Sequence, residues 1–239
     1  MHCFVINLPR STERLKKIIK NLNEVNLNFT IVCAISPEDL SKLKYNYNSE
    51  KNLRYYHKPL TSGEICCILS HSKAINDFLQ SDHEYAVILE DDAETTKLKV
   101  SQLSKIERSL NFFDLIKLSD GASKKKVISP VERVEDLEIG FPNKVPNSNM
   151  AYLINREGAK KVLKAYEEIY LPADVTLQRW WKYDLRIGFC SSPLFFQNGM
   201  DSEINISSNR KKVKRSRSKK IINRIGFELK NKYYSLIKR

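Results

Sequence analysis

"YAVILEDDAE", residues 85–94, decides how this chain is read. Tyr85 to Leu89 form an unbroken apolar run of strand length, the pattern of a strand covered on both faces within a parallel sheet. The run ends on three carboxylates, Glu90, Asp91 and Asp92. Side chains alternate along an extended chain, so the spacing predicts Glu90 and Asp92 on one side and Asp91 on the other. Two acids then converge past the C-terminal edge of the sheet, where open α/β folds place their ligands. Unpaired like charges at a half-buried strand end are costly, and one of them takes up a proton unless a cation intervenes. Carboxylate oxygens suit Mn²⁺ or Mg²⁺, and so few protein ligands leave coordination positions for phosphate oxygens and water. The bland reading of the same triplet is a solvated acidic loop that caps the next helix.

Outward from this strand, apolar β-branched runs alternate with helical stripes. "CFVINL" (3–8) reads as a strand. "PRSTER" follows with Ser11 or Thr12 as a helix N-cap, and Leu15, Ile18, Ile19, Leu22 and Val25 recur at helical spacing. "FTIVCAI" (29–35) predicts a second strand, 36–60 a loop with little regular structure, and 63–79 a helix. After the acidic triplet a helix is expected near 100–110 and a strand at 113–119. Residues 120–149 read as loop with short strands, 150–155 as a strand, 156–169 as a helix, and 186–197 as a last strand or two. Strands alternating with helices imply an α/β sandwich on a mostly parallel sheet.

The chain of 239 residues is 41% apolar, enough for a sizeable core. Its five cysteines are odd in number and lack C-x-x-C spacing, which argues against a disulfide framework or a zinc knuckle and for reduced thiols in a cytoplasmic setting. An immediate strand pattern at the N-terminus and the lack of a run of about 18 apolar residues argue against secretion and membrane spanning. The net charge of +13 is unevenly placed: residues 209–239 hold thirteen Lys or Arg and one acid, giving +12 and leaving +1 for residues 1–208. The expected division is therefore a catalytic body, 1–208, and a basic tail, 209–239. Ile221, Ile222, Ile225, Leu229, Tyr233 and Leu236 in the tail fall at helical spacing, predicting a basic amphipathic helix over 219–237 that lies on an anionic membrane surface.

Five blocks in order, "FVINLPRSTER" (4–14), "LTSGEICCILSHSKAI" (60–75), "YAVILEDDAE" (85–94), "AYLINREGAKKVL" (151–163) and "LPADVTLQRWW" (171–181), resemble those of glycosyltransferase family 25. The resemblance implies a GT-A type Rossmann-like fold and a nucleotide-sugar donor. Glu90-Asp91-Asp92 stands where the family's acidic metal motif would be. It further implies a hexosyltransferase acting by inversion, with UDP-galactose as donor and a lipooligosaccharide or lipopolysaccharide sugar as acceptor, placed peripherally on the inner face of a bacterial inner membrane.

Candidate roles follow residue by residue. Glu90 and Asp92, with Gln197, are expected to hold the metal, and Asp91 to serve the donor site. Arg10 and Arg14, just past the first strand, can pair with phosphate. Asn7, Leu8 and Ala34 end strands that in this fold line the base and ribose pocket. Glu64 and His71, two helical turns apart, can both face the cleft. Lys117 stands at another strand end, suited to a phosphate or to solubility. Asp174, at the start of a helix after Pro172, is the candidate base, with Asp120 in reserve, and Trp180 and Trp181 offer either sugar-stacking faces or core packing. Two other readings compete: a metal-dependent phosphoryl-transfer or nucleic-acid-binding protein gripping phosphates through the tail, and a non-catalytic membrane scaffold. The neutral body and the absence of nucleotide-loop and nucleic-acid motifs favour the transferase without a nucleic-acid partner.

Overall fold

The computed structural model describes residues 1–119, 127–197 and 216–238. Its strands are β1 (His2–Asn7), β2 (Asn28–Cys33), β3 (Tyr85–Glu90), β4 (Ala93–Thr95), β5 (Leu115–Lys117), β6 (Val127–Val134), β7 (Leu137–Pro142), β8 (Ala151–Asn155), β9 (Ile187–Cys190) and β10 (Phe195–Gln197). Its helices are α1 (Thr12–Glu24), α2 (Ser49–Tyr55), α3 (Ser62–Gln80), α4 (Lys97–Val100), α5 (Leu103–Ile106), α6 (Arg156–Tyr166), α7 (Ala173–Leu177) and α8 (Arg217–Ile237).

Eight strands form one sheet in the order β2-β1-β3-β8-β5-β9-β7-β6, while β10 and β4 pair separately. β1 runs parallel to β2 and β3, and β5 parallel to β9. β8 and β7 run against their neighbours, so the sheet is mixed with most strands pointing one way. Alternate residues of each strand feed two cores. Phe4, Ile6, Ala86 and Ile88 pack with Ile68, Ile75 and Phe78 of α3 and with Ala159 and Val162 of α6. Cys3, Val5, Val87 and Leu89 face the other way, onto Ile18 and Leu22 of α1 and onto Leu103 and Ile106. The result is a helix–sheet–helix sandwich, and Ala86 to Leu89 of β3 are all buried because both faces of the strand are covered. Each such side chain contributes roughly 1.5–3 kcal/mol.

Three expectations change. The 36–60 stretch holds a 3₁₀ turn at Pro37–Lys42, opened by a capping box on Ser36, and the helix α2, N-capped by Asn48. Residues 120–149 contain the β6–β7 hairpin. Pro130 is tolerated in β6 because that strand is the sheet's edge and its register shifts there. The basic helix docks on the body. Tyr234 stacks on Trp181 at 5.5 Å, and Trp180 donates from Nε1 to Asn231 Oδ1 at 3.2 Å.

Candidate active site

Parallel pairing of β2, β1 and β3 brings three C-terminal strand ends side by side. An open cleft lies above them, lined by Leu8, Arg10, Ala34 and Ile35 and by Cys67, His71, Glu90 and Asp91. Its walls combine apolar surface for a flat ring with a few fixed polar groups, the usual character of a small-ligand site. Ala34 and Leu8 both line this cleft.

The acids do not alternate as an extended chain would have them. The strand stops at Glu90, and the chain turns at Asp91 and Asp92. Both aspartates reach Arg14: Asp91 Oδ1 accepts from Nη1 at 2.6 Å, and Asp92 Oδ2 lies 3.6 Å from Nη2. Glu90 goes the other way, its Oε1 3.1 Å from His71 Nε2. Asn7 donates from Nδ2 to Asp91 Oδ2 at 2.7 Å, and Gln197 donates from Nε2 to Asp92 Oδ2 at 3.2 Å. Gln197 thus reaches the acidic cluster, delivered by the β10–β4 pairing. Asn7 braces Asp91 and does not line the cleft. Arg14 is buried in ion pairs, which leaves Arg10, its side chain 45% exposed beside Glu38, as the guanidinium facing the opening.

One guanidinium does not balance three carboxylates. Burial, then the charge of Glu90, pushes Asp92 up to about 7. Burial also raises Asp91. Glu90 is pushed up by burial as well, but the hydrogen bond and charge of His71 bring it below its ordinary value. Asp92 Oδ1 is buried and accepts no hydrogen bond among the described residues. An orphaned carboxylate oxygen in an electron-rich cluster is what a hard divalent ion would satisfy, so the donor set fits Mn²⁺ or Mg²⁺.

Other candidates land differently. Glu64 is the N3 residue of α3's capping box: its side chain folds back to the Thr61 N–H at 3.0 Å and accepts from the buried Lys58 at 2.6 Å. That inward fold explains why Glu64 does not line the cleft although His71, two turns on, does. Lys117 is fully buried, donating to the Ser148 carbonyl at 2.8 Å and to Asn149 Oδ1, so neither a surface charge nor an open phosphate contact describes it. Burial lowers it to about 7, against the charges of Asp174 and Glu90. Asp174 sits in the first turn of α7, half-buried, its Oδ1 accepting from the Val175 N–H. Trp180 and Trp181 hold α8, which resolves the two readings of that pair in favour of packing. Asp120 lies outside the described residues. Sequence reading passed over Cys67 and Tyr152, although Cys67 precedes His71 by one helical turn. Tyr152 could not be found that way, because the antiparallel pairing of β8 with β3 alone carries its hydroxyl to 3.1 Å from His71 Nδ1.

The fold is similar to the crystal structure of a glycosyltransferase involved in glycosylating the major capsid of PBCV-1, with a TM-score of 0.47, 12% identity, and coverage of 85% of this chain and 95% of that one. In sequence, a glycosyltransferase 25 family member of Aedes aegypti is 30% identical over 68% of this chain and 28% of its own length. Procollagen galactosyltransferase 2 of Homo sapiens is 28% identical over 68% of this chain and 27% of its own length. The chain therefore spans little more than a quarter of the length of these relatives. The profile of glycosyltransferase family 25 (LPS biosynthesis protein) matches residues 1–177. With most of its length matched in that way, the chain belongs to glycosyltransferase family 25.

Proposed function

We propose that this protein transfers a hexose from a nucleotide-sugar donor to a sugar hydroxyl, with inversion. The observation that carries the reading is the acidic cluster at the end of β3, where Glu90 and Asp91 line an apolar-walled cleft and the single charge of Arg14 faces two aspartates, Asp91 and Asp92. In this reading Leu8, Ala34 and Ile35 receive the base and ribose, and Arg10 pairs with the diphosphate. Glu90 and Asp92 hold Mn²⁺ or Mg²⁺ with Gln197 beside them, and the bound ion would neutralise charge developing on the leaving diphosphate. Asn7 and Arg14 fix Asp91 so that the turn keeps its shape. Asp174 takes the acceptor hydroxyl's proton, and Lys117 lies within reach of its charge from beneath. UDP-galactose is the favoured donor, because procollagen galactosyltransferases are among the similar proteins.

The acceptor in this proposal is a lipid-linked oligosaccharide, and α8 brings the enzyme to its membrane from the cytoplasmic side. Phe227, Asn231 and Tyr234 form the inner stripe of α8, against the body. Ile222, Ile225, Leu229, Tyr233 and Leu236 form a second stripe on the opposite side, 54% to 76% exposed. Lys219, Lys230 and Lys232 flank it, and the only acid in the helix, Glu228, is paired to Arg224. An exposed apolar row between lysines suits an anionic lipid surface. No helix among the described residues is long and apolar enough to cross a membrane. Because the inner stripe covers the tryptophan pair, Leu229→Asp with Leu236→Asp tests the outer stripe better than deletion would. The pair of changes should abolish binding to anionic vesicles; retained binding would exclude α8 as the lipid contact. A screen of nucleotide sugars for Mn²⁺-dependent nucleotide release tests the transferase, and release with none of them would reject it.

A further inference from the structure

Cys67 and His71 are one turn apart on α3, so their side chains leave the helix on the same face. Glu90, the last residue of β3, meets them there. One ligand atom from each of the three lies within 4.8 Å of the other two, and all three residues line the cleft. His71 Nε2 and Glu90 Oε1 are 3.1 Å apart. Two such atoms sharing one tetrahedral Zn²⁺ would be separated by about 3.4 Å, given metal–ligand bonds of about 2.0–2.1 Å. Tyr152 completes the arrangement from behind, its hydroxyl 3.1 Å from His71 Nδ1. When that hydroxyl accepts a hydrogen bond from Nδ1–H, the Nε2 lone pair is left on the side of Glu90, the arrangement that outer partners of metal-bound histidines enforce.

We propose that Cys67, His71 and Glu90 form a thiophilic metal site in the cleft, distinct in chemistry from the all-oxygen set of Glu90 and Asp92, and that it takes Zn²⁺. Sulfur, imidazole and carboxylate in one set select zinc over manganese or magnesium, and three protein ligands leave the fourth position to water. Binding exchanges the Cys67 thiol proton, released to solvent, for one metal–sulfur bond, and the ion sheds water in return. Glu90 is common to both sets. Zn²⁺ therefore excludes the hard ion that the proposed transferase reaction uses, and this inhibitory half rests on that functional reading.

Co²⁺ titrated anaerobically into the full chain tests the site without any activity assay. A near-ultraviolet thiolate-to-cobalt band should appear with visible tetrahedral absorption, and Zn²⁺ should erase both. Cys67→Ser should lose the near-ultraviolet band, and substitution of the exposed Cys33 by Ser should keep it. Tyr152→Phe should keep the band and weaken Co²⁺ binding by about 10- to 100-fold. No band in the unmutated protein, or a band surviving in Cys67→Ser, would overturn the site. Should Cys67→Ser fail to fold, the unmutated protein still decides: Zn²⁺ should block alkylation of Cys67, mapped by mass spectrometry, but not of Cys33, and unchanged Cys67 labelling would overturn the proposal. If the band forms yet Zn²⁺ does not compete with Mn²⁺ in donor cleavage, the inhibitory half is wrong and the site stands.

Discussion

Two clusters of buried charge lie at the cleft end of the sheet, and they are built on opposite terms. In the first, Lys58 and Glu64 meet at 2.6 Å with side chains 2% and 4% exposed, one cation to one anion, and Thr61 adds a backbone donor. In the second, Asp91 and Asp92 share a single guanidinium, while Glu90 beside them meets His71. The balanced cluster pins the start of α3 and stays closed. The unbalanced one leaves Asp92 with a raised pKa and places Glu90 and Asp91 on an open cleft. Charge imbalance, more than burial, separates a site from a staple here.

The contrast can be broken from either side. The largest effect is expected for Asp92→Asn, which should reduce metal-dependent transfer by about 10³-fold, or roughly 4 kcal/mol of barrier, with the fold retained by circular dichroism. Transfer at the parent rate would place the metal elsewhere. Lys58→Met removes the cation of the balanced cluster and strands Glu64, so urea unfolding should show a loss of about 3 kcal/mol, whereas donor affinity of the folded protein should not change. A donor KM that moved instead would make the staple part of the site. Arg10→Ala is expected to raise donor KM about tenfold, near 1.4 kcal/mol, with kcat little altered, since Arg10 is the exposed guanidinium at the opening.

The smallest effect is a pH trend. Asp92 binds its proton more tightly folded than unfolded, so its stabilisation is complete below the ordinary carboxylate range and is lost as pH rises through about 7. The metal-free protein should therefore melt lower at pH 8 than at pH 5, with Mn²⁺ reversing the loss. Asp92→Asn should remove that component and raise the pH 8 melting temperature by about 3 °C. An identical pH dependence in the variant would show that Asp92 carries no excess charge.

How much could be read before the structure follows from where the physical signal is local. β3 was legible because nothing but a doubly covered strand needs Tyr85 to Leu89 without a polar break. α1 and α3 were legible from their repeat. The reversed direction of β8 was not, since a strand's sequence carries no sign of which way its neighbour runs, and with it went the Tyr152–His71 contact. The three acids were found, but their orientation was misjudged: alternation holds only while the chain is extended, and it turns at Asp91. Glu64 was drawn to the cleft by its spacing from His71, yet an N3 residue folds back on its cap. The tryptophans were ambiguous because both readings ask for an aromatic face, and only the docking of α8 decides between them.

Calorimetric titration of Mn²⁺ into the metal-free protein with uridine diphosphate present tests the excess-carboxylate claim most directly. The account predicts one ion bound by the parent protein and none by a folded Asp92→Asn variant. Equal binding by both, or none by the parent, would contradict it.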